Sequence, residues 1–327
     1  MSYIYLLIFT LIVLSVYARS TSTIEMLCKS TKRLDGNTVI VTGGTAGMGL
    51  EIATDFAKRG ARVIIACPFE KEGLEGCEYI KKLANKEAIF KLLDLSSIQS
   101  VRKFAGEIIE SEEKLHILVN NAGVYMADEF ITDDGLNSVM QINYFGPFLL
   151  TLLLIPLLKK TGRISEPSRI VNVTSQAHFK GKIDFRKMGD IKYCSSFQIY
   201  ANSKLCLTLF TRELTKKLKR SNVVVNNADP GYVATFIVKF ENRFLKFMYY
   251  LLIQVLRISG FKSPLVGAQT AIHVALDDDV GAVSGETFYN CKLSKAAVMT
   301  YDEDLAQKLW DESIKLVKLE REELFEV

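Results

Sequence analysis

The stretch Thr38-Val39-Ile40-Val41-Thr42-Gly43-Gly44-Thr45-Ala46-Gly47-Met48-Gly49 decides the architecture. Its opening β-branched run reads as a buried strand. Helical periodicity follows at once in Leu50-Glu51-Ile52-Ala53-Thr54-Asp55-Phe56-Ala57. Strand, glycine turn and helix in that order form a cradle for a dinucleotide. The glycines permit a tight turn and close backbone approach, and the helix N-terminus attracts the pyrophosphate. The glycines stand at 43, 47 and 49, a G-x-x-x-G-x-G spacing and not the more familiar G-x-G-x-x-G. A glycine cluster in a surface loop is the plain alternative, and the strand-to-helix placement argues against it.

Outward from this unit, strand-like runs at 38–42, 62–66, 88–92, 115–119, 169–174, 222–228 and 286–289 alternate with helical stretches. Alternation of this kind predicts βαβ units: an α/β, Rossmann-type doubly wound parallel sheet with helices on both faces, in a single domain. The chain has 327 residues and shows no internal repeat. The one clear boundary is polar, from Arg19 to Asp35. The division expected is therefore a segment 1–18, a linker 19–35 and a catalytic domain 36–327.

The formal net charge is +4 and the charges are dispersed, which gives nucleic acid binding no support. The six cysteines (28, 67, 77, 194, 206 and 291) contain no C-x-x-C pair and read as free or buried thiols. The three histidines lie too far apart for metal-ligand spacing, so no metal is expected. Asn172-Val173-Thr174 is formally a glycosylation sequon, but it falls in an apolar strand and is expected to stay unmodified.

Chemistry enters with Tyr200-Ala201-Asn202-Ser203-Lys204, since no other tyrosine here has a lysine four residues on. On a helix these two side chains share a face. A phenol titrates near pH 10, and an adjacent cation favours the phenolate, which makes the tyrosine a usable general acid/base. By spacing alone an ordinary exposed helix face is much the better explanation of the pair; its company reverses that.

That company is Asn120-Asn121-Ala122-Gly123 after an apolar run, Asn143 in a helix-like stretch, Ser175 at a strand end, and Asp229-Pro230-Gly231-Tyr232-Val233-Ala234-Thr235 beyond the pair. Together, in this order, the motifs resemble the short-chain dehydrogenase/reductase family over about residues 34–318. The spacing of Ser175 from Tyr200, Ala66-Cys67 and Leu309-Trp310 look most like its membrane-anchored retinol dehydrogenase-like branch. Gly43-Gly44-Thr45, Asp229-Pro230-Gly231 and Phe288-Tyr289-Asn290 look like the X-linked, polyprenol dehydrogenase-like member.

The resemblance implies an oxidoreductase that moves hydride between NAD or NADP and an alcohol or carbonyl. Tyr200 would be the acid/base, and Lys204 would lower its pKa and hold the nicotinamide ribose. Ser175 would hold the substrate oxygen, and Asn143 would anchor a proton-relaying water. Gly43, Thr45, Gly47, Met48, Gly49, Cys67, Asp94, Leu95, Asn121, Ala122, Gly123, Pro230, Gly231, Val233 and Thr235 would line the cofactor, together with Tyr200 and Lys204. Asp94 reads equally as an N-cap of the following helix. With all four catalytic positions filled, an inactive regulatory relative is disfavoured. At the cofactor's ribose, Cys67 stands where NAD enzymes place an acid, and Pro68 where NADP-preferring relatives place an arginine. Weak discrimination between the two cofactors follows.

Two apolar stretches point to a membrane. Tyr3 to Tyr17 is uncharged and a little short of the ~20 residues that span a bilayer core. Arg19, Lys29, Lys32 and Arg33 follow it, so an uncleaved anchor would leave the catalytic domain cytosolic. Val16-Tyr17-Ala18 keeps a cleaved signal peptide, and a luminal or secreted product, as the alternative. The resemblance points to the endoplasmic reticulum membrane. Within an expected substrate lid at 232–264, Phe236, Phe240, Phe244, Phe247, Leu251 and Val255 recur at helical intervals among Lys239, Arg243, Lys246 and Arg257. This pattern suits an interfacial helix on a lipid surface, while a homodimer contact or a lid packed on the core suits it equally. An apolar lid fits a lipophilic substrate, a retinoid or polyprenoid, with a hydroxysteroid as the rival.

Overall fold

The computed structural model describes residues 26–125, 129–233, 261–320 and 323. Eight strands form one sheet in the order β3-β2-β1-β4-β5-β6-β7-β8. They are β1 (Thr38–Thr42), β2 (Arg62–Cys67), β3 (Ala88–Leu92), β4 (Ile117–Asn120), β5 (Ser168–Val173), β6 (Val223–Asp229), β7 (Thr287–Tyr289) and β8 (Lys292–Ser294). All neighbouring pairs from β3 to β7 are parallel. The expected sheet is therefore present, with most strand ends displaced by a residue or two.

One addition corrects the expectation of a wholly parallel sheet: β8 runs antiparallel to β7 at the edge. The turn between them is Asn290-Cys291, with φ of 52° and 56°. A two-residue hairpin needs left-handed backbone at both positions. Asparagine tolerates that conformation, but a cysteine gives no such signal, so the hairpin was not legible.

The helices are α1 (Gly47–Lys58), α2 (Glu70–Ala84), α3 (Ile98–Ser111), α4 (Ser138–Thr161), α5 (Ser196–Lys217), α6 (Pro264–Leu276) and α7 (Glu303–Leu316). Side chains on a strand alternate between faces, and each face of the sheet has its own core. Ile40, Ile64, Leu118, Ile170 and Val225 pack under α3, α4, α5 and α7. Val39, Val41, Val63, Ile65 and Val171 pack under α1 and α6. Trp310, noted for its place beside Leu309, lies 5.3 Å from the Phe148 ring and 6.0 Å from the Phe210 ring, closing the first core. Among the described residues α4 alone is long and apolar enough to cross a membrane, and it is buried inside this core.

Residues 26–35, read as linker, are docked on the domain. Leu34 is fully buried, Arg59 donates to the carbonyls of Ser30 and Lys32, and Cys28 N–H donates to Gln269. Asn172 of the sequon is buried in β5, donating to Thr211, which keeps it from a glycosyl donor in the folded chain. All six cysteines are free thiols.

Candidate active site

The glycine turn, Asn121-Ala122-Gly123, Ser175, Tyr200 with Lys204, and Asp229-Pro230-Gly231 gather at or beside the carboxyl edge of the parallel sheet, where open α/β folds bind ligands. At the end of β1, Gly43 and Gly47 have φ of +63° and +55°. Gly49 is required for another reason: a Cβ there would stand 2.1 Å from the Gly43 carbonyl oxygen and 2.4 Å from Asn121 Nδ2. The turn is held by its neighbours. Thr42 Oγ1 accepts the N–H groups of Asn121 and Ala122 at 3.0 Å each, and Asn121 Nδ2 donates to Thr42 O at 2.9 Å. Ala46 stands at the N-cap of α1 without a side-chain cap. The first N–H groups of the helix are thus left to an anion, which is the fit that a dinucleotide pyrophosphate needs. Thr45 lies against Gly76 of α2, and Met48 against Gly267 of α6.

Along the same edge, Cys67 is buried and its thiol donates to Phe69 O at 3.2 Å, while Pro68 is exposed. Asp94 does not cap α3; Ser97 does, accepting from Ser100 N–H. Asp94 Oδ1 instead accepts from Ser96 N–H at 2.8 Å and Ser96 Oγ at 2.6 Å, a local turn, with buried Leu95 next to it.

The four expected catalytic residues converge. Ser175 ends the β5 edge and accepts from Ala177 N–H at 3.2 Å, starting a 3-10 turn over Gln176–Lys180. Its side chain is near enough to the Tyr200 phenol to act on it, in the direction that lowers its pKa. Tyr200 and Lys204 share one face of α5, with Lys204 Nζ 5.8 Å from the phenol ring centre and donating to Val173 O at 2.9 Å. Asn143 lies in a π-helical turn, Gln141–Phe145, inside α4. Its Oδ1 accepts from Val124 N–H at 2.8 Å, and its Nδ2 donates to Val124 O at 2.9 Å and Ser203 Oγ at 3.1 Å. Both amide hydrogens are therefore donated to protein, and the side chain clamps Val124 and Ser203. Gly123 runs between Asn143 and Lys204, and a Cβ there would meet both within 3.4 Å.

Burial is the largest electrostatic influence on both members of the Tyr200–Lys204 pair. Burial pushes Tyr200 up from its ordinary value, against the lowering effect of Ser175, and Asp229 and Tyr125 push it further up. Burial brings Lys204 down to about 8, with Asp229 opposing. Asp229, Gln176, His178, Lys262 and Tyr125 were not assigned roles from sequence. Tyr125 has its ring 4.8 Å from that of Tyr200. Only its place directly after Asn121-Ala122-Gly123-Val124 hinted at this.

Beyond β6, Gly231 has φ +74° and Pro230 O accepts from Lys262 Nζ at 2.8 Å. Val233 forms a parallel bridge with Lys262. Thr235, the apolar stripe at 236–257 and the N-terminal segment 1–25 lie outside the described residues.

Comparison with known proteins agrees with the architecture. The short chain dehydrogenase family model matches residues 37–245. Retinol dehydrogenase 11 of Homo sapiens is 39% identical over 295 residues, covering 90% of this chain and 89% of the relative. Retinol dehydrogenase 13 of Homo sapiens is 37% identical, covering 90% and 88%. A solved structure from Mycobacterium paratuberculosis superposes with a TM-score of 0.70 at 26% identity, covering 88% of this chain and 95% of that one. The NADP active-site complex of RhlG from Pseudomonas aeruginosa gives a TM-score of 0.61 at 26% identity, covering 78% and 95%. By family match, relatives and fold together, this chain belongs to the short chain dehydrogenase family and is an NAD(P)-dependent oxidoreductase acting between alcohol and carbonyl.

Proposed function

We propose that the protein interconverts a lipophilic alcohol and its aldehyde or ketone, a retinoid or polyprenoid, with Tyr200 as the proton-transfer group. The observation that carries this reading is the convergence of Ser175, Tyr200 and buried Lys204, with the Lys204 ammonium 5.8 Å from the phenol ring centre on the same helical face. Bound NAD(P) supplies the hydride. Ser175 places its hydroxyl where a substrate oxygen would meet it beside the phenol, and stabilises charge developing on that oxygen. Tyr200 gives that oxygen its proton in reduction and removes it in oxidation. Lys204 holds positive charge behind the phenol, and Asn143 fixes Val124 and Ser203 so that Gly123 stays open beside Lys204. The glycine turn, Asn121 and Ala122 hold the dinucleotide phosphates and ribose. The apolar composition of 236–257 and the relatives named for retinol support a lipophilic substrate.

The same reading places the chain at the endoplasmic reticulum membrane, anchored through its first 18 residues with the catalytic domain in the cytosol. The test is to incubate purified full-length protein with detergent-dispersed retinoid, polyprenoid and steroid alcohols and carbonyls, each with both cofactors. Turnover of the flexible isoprenoid compounds is expected. Turnover restricted to steroids, or none with any of the panel, overturns the substrate class.

A further inference from the structure

Asp229 ends β6, is 1% exposed, and has no part in the roles assigned so far. Its Oδ1 accepts from Gly231 N–H at 2.8 Å, and its Oδ2 accepts from Gln176 Nε2 at 2.5 Å. Both oxygens therefore face N–H donors, which suits a carboxylate and leaves no acceptor for an acid proton on either bond. Through Gln176 the carboxylate is one residue from Ser175, which acts on the Tyr200 phenol. Through the sheet it is equally near Lys204. Ala228 pairs with Val173, and the Val173 carbonyl is the one that takes Lys204 Nζ.

Burial raises the Asp229 carboxyl above its ordinary value, and the groups acting against that rise include the Gly231 N–H, Gln176 and the Lys262 ammonium. Lys262 Nζ donates to Pro230 O at 2.8 Å and Asn290 Oδ1 at 2.5 Å, with the Cys291 thiol and the Tyr289 ring beside it. His178 faces the carboxylate from the 3-10 turn. Its Nε2 accepts from Ala297 N–H at 3.2 Å while Nδ1 contacts Ser175 O at 2.6 Å, so the ring is neutral with its proton on Nδ1. Tyr200 and Lys204 face it from α5.

We propose that Asp229 is a positioning residue of the hydride-transfer site: its buried carboxylate braces the Ser175–Gln176 edge against Gly231 and sets a negative charge behind Tyr200 and Lys204. The inference rests on the reading of Tyr200 as the proton-transfer group. Burial is the larger influence on Tyr200, and the negative charge of Asp229 acts in the same direction, keeping the proton on the phenol. On Lys204 it opposes burial, preserving the ammonium. A protonated phenol can donate to an alkoxide but cannot accept a proton from an alcohol.

The test compares Asp229→Asn with wild type by ultraviolet titration of the Tyr200 phenolate, isolated by subtracting Tyr200→Phe in each background. This readout needs no substrate, so it stands even if no compound in the panel turns over. The phenolate midpoint is expected to fall by about 1 pH unit in Asp229→Asn, the lower end of what one nearby charge does. Where a substrate is available, the alkaline limb of reduction should move down by a similar amount, and oxidation at pH 7 should rise. Gln176→Leu cuts the brace and keeps the charge, so its turnover should fall with the midpoint unchanged. If Asp229→Asn does not fold, Lys262→Met carries the test, because losing the Lys262 ammonium should raise the midpoint. An unmoved midpoint in a folded Asp229→Asn or Lys262→Met protein overturns the proposal, as does an equal shift in Gln176→Leu.

Discussion

Removing one oxygen atom from Tyr200 separates the two uses of its ring. Tyr200→Phe keeps the 4.8 Å packing against Tyr125 and loses the hydroxyl on which Ser175 acts. Turnover should drop by about 10²–10⁴-fold, the usual worth of acid/base catalysis, while fluorescence titration finds cofactor binding intact. Wild-type turnover in a folded variant would remove Tyr200 from the mechanism. At the ribose end, Pro68→Arg places a guanidinium at an exposed position next to Cys67. The ratio of NADP to NAD efficiency should rise through bidentate pairing with the 2′-phosphate. An unchanged kcat/KM ratio would mean that the β2 edge is not the ribose site. Residues of this kind were legible because each belongs to a local motif. Asp229 and Tyr125 were not, since their partners Gln176 and Tyr200 are distant in sequence and nothing in the residue types announces the meeting.

Helix α4 shows how an element can carry a site by departing from regularity. The π turn at Gln141–Phe145 puts Asn143 against Val124, and that amide satisfies both the N–H and the C=O of one backbone position. Asn143→Ala would leave these groups without their partner, at about 1–3 kcal/mol for each buried group. A clear fall in the thermal midpoint and loss of turnover are expected together, measured by calorimetry and assay. A stable, inactive variant would instead mean that Asn143 acts in the chemistry and not as a clamp. The sequence showed Asn143 in a helix, but a π turn leaves no mark on hydrophobic periodicity. The same limit hid β8, whose three residues are too few to show alternation. The long β-branched runs of β1 and β2 had no such difficulty, because their burial on both faces demands continuous apolar residues.

Across the whole molecule, burial lowers the pKa of all three histidines, His116, His178 and His273. The unfolded chain takes up protons near pH 6.5 that the folded chain refuses, so stability is full above that pH and falls as pH drops below it. Denaturant midpoints between pH 7.5 and 5.5 measure the decline, and a flat profile would show that these rings titrate freely in the fold. The membrane reading is tested by deleting residues 1–18: the truncated protein should still float partly with anionic liposomes at low salt through the 236–257 stripe. Complete recovery in the soluble fraction would assign the stripe to a lid or dimer contact. The α/β layering was legible end to end, since it rests on period and order alone; the eight-strand edge and the docking of residues 26–35 arise only from tertiary contact. The bridge of Val233 with Lys262, reinforced by Lys262 N–H donating to Tyr232 O at 2.9 Å, has a last consequence. The described chain leaves at Val233 and returns at Lys262, so the two ends of the intervening sequence are paired side by side. Closing such a loop depends only weakly on its length. The number and polarity of the residues joined across that doorway can therefore change at little entropic cost while Ser175 and Tyr200 keep their places.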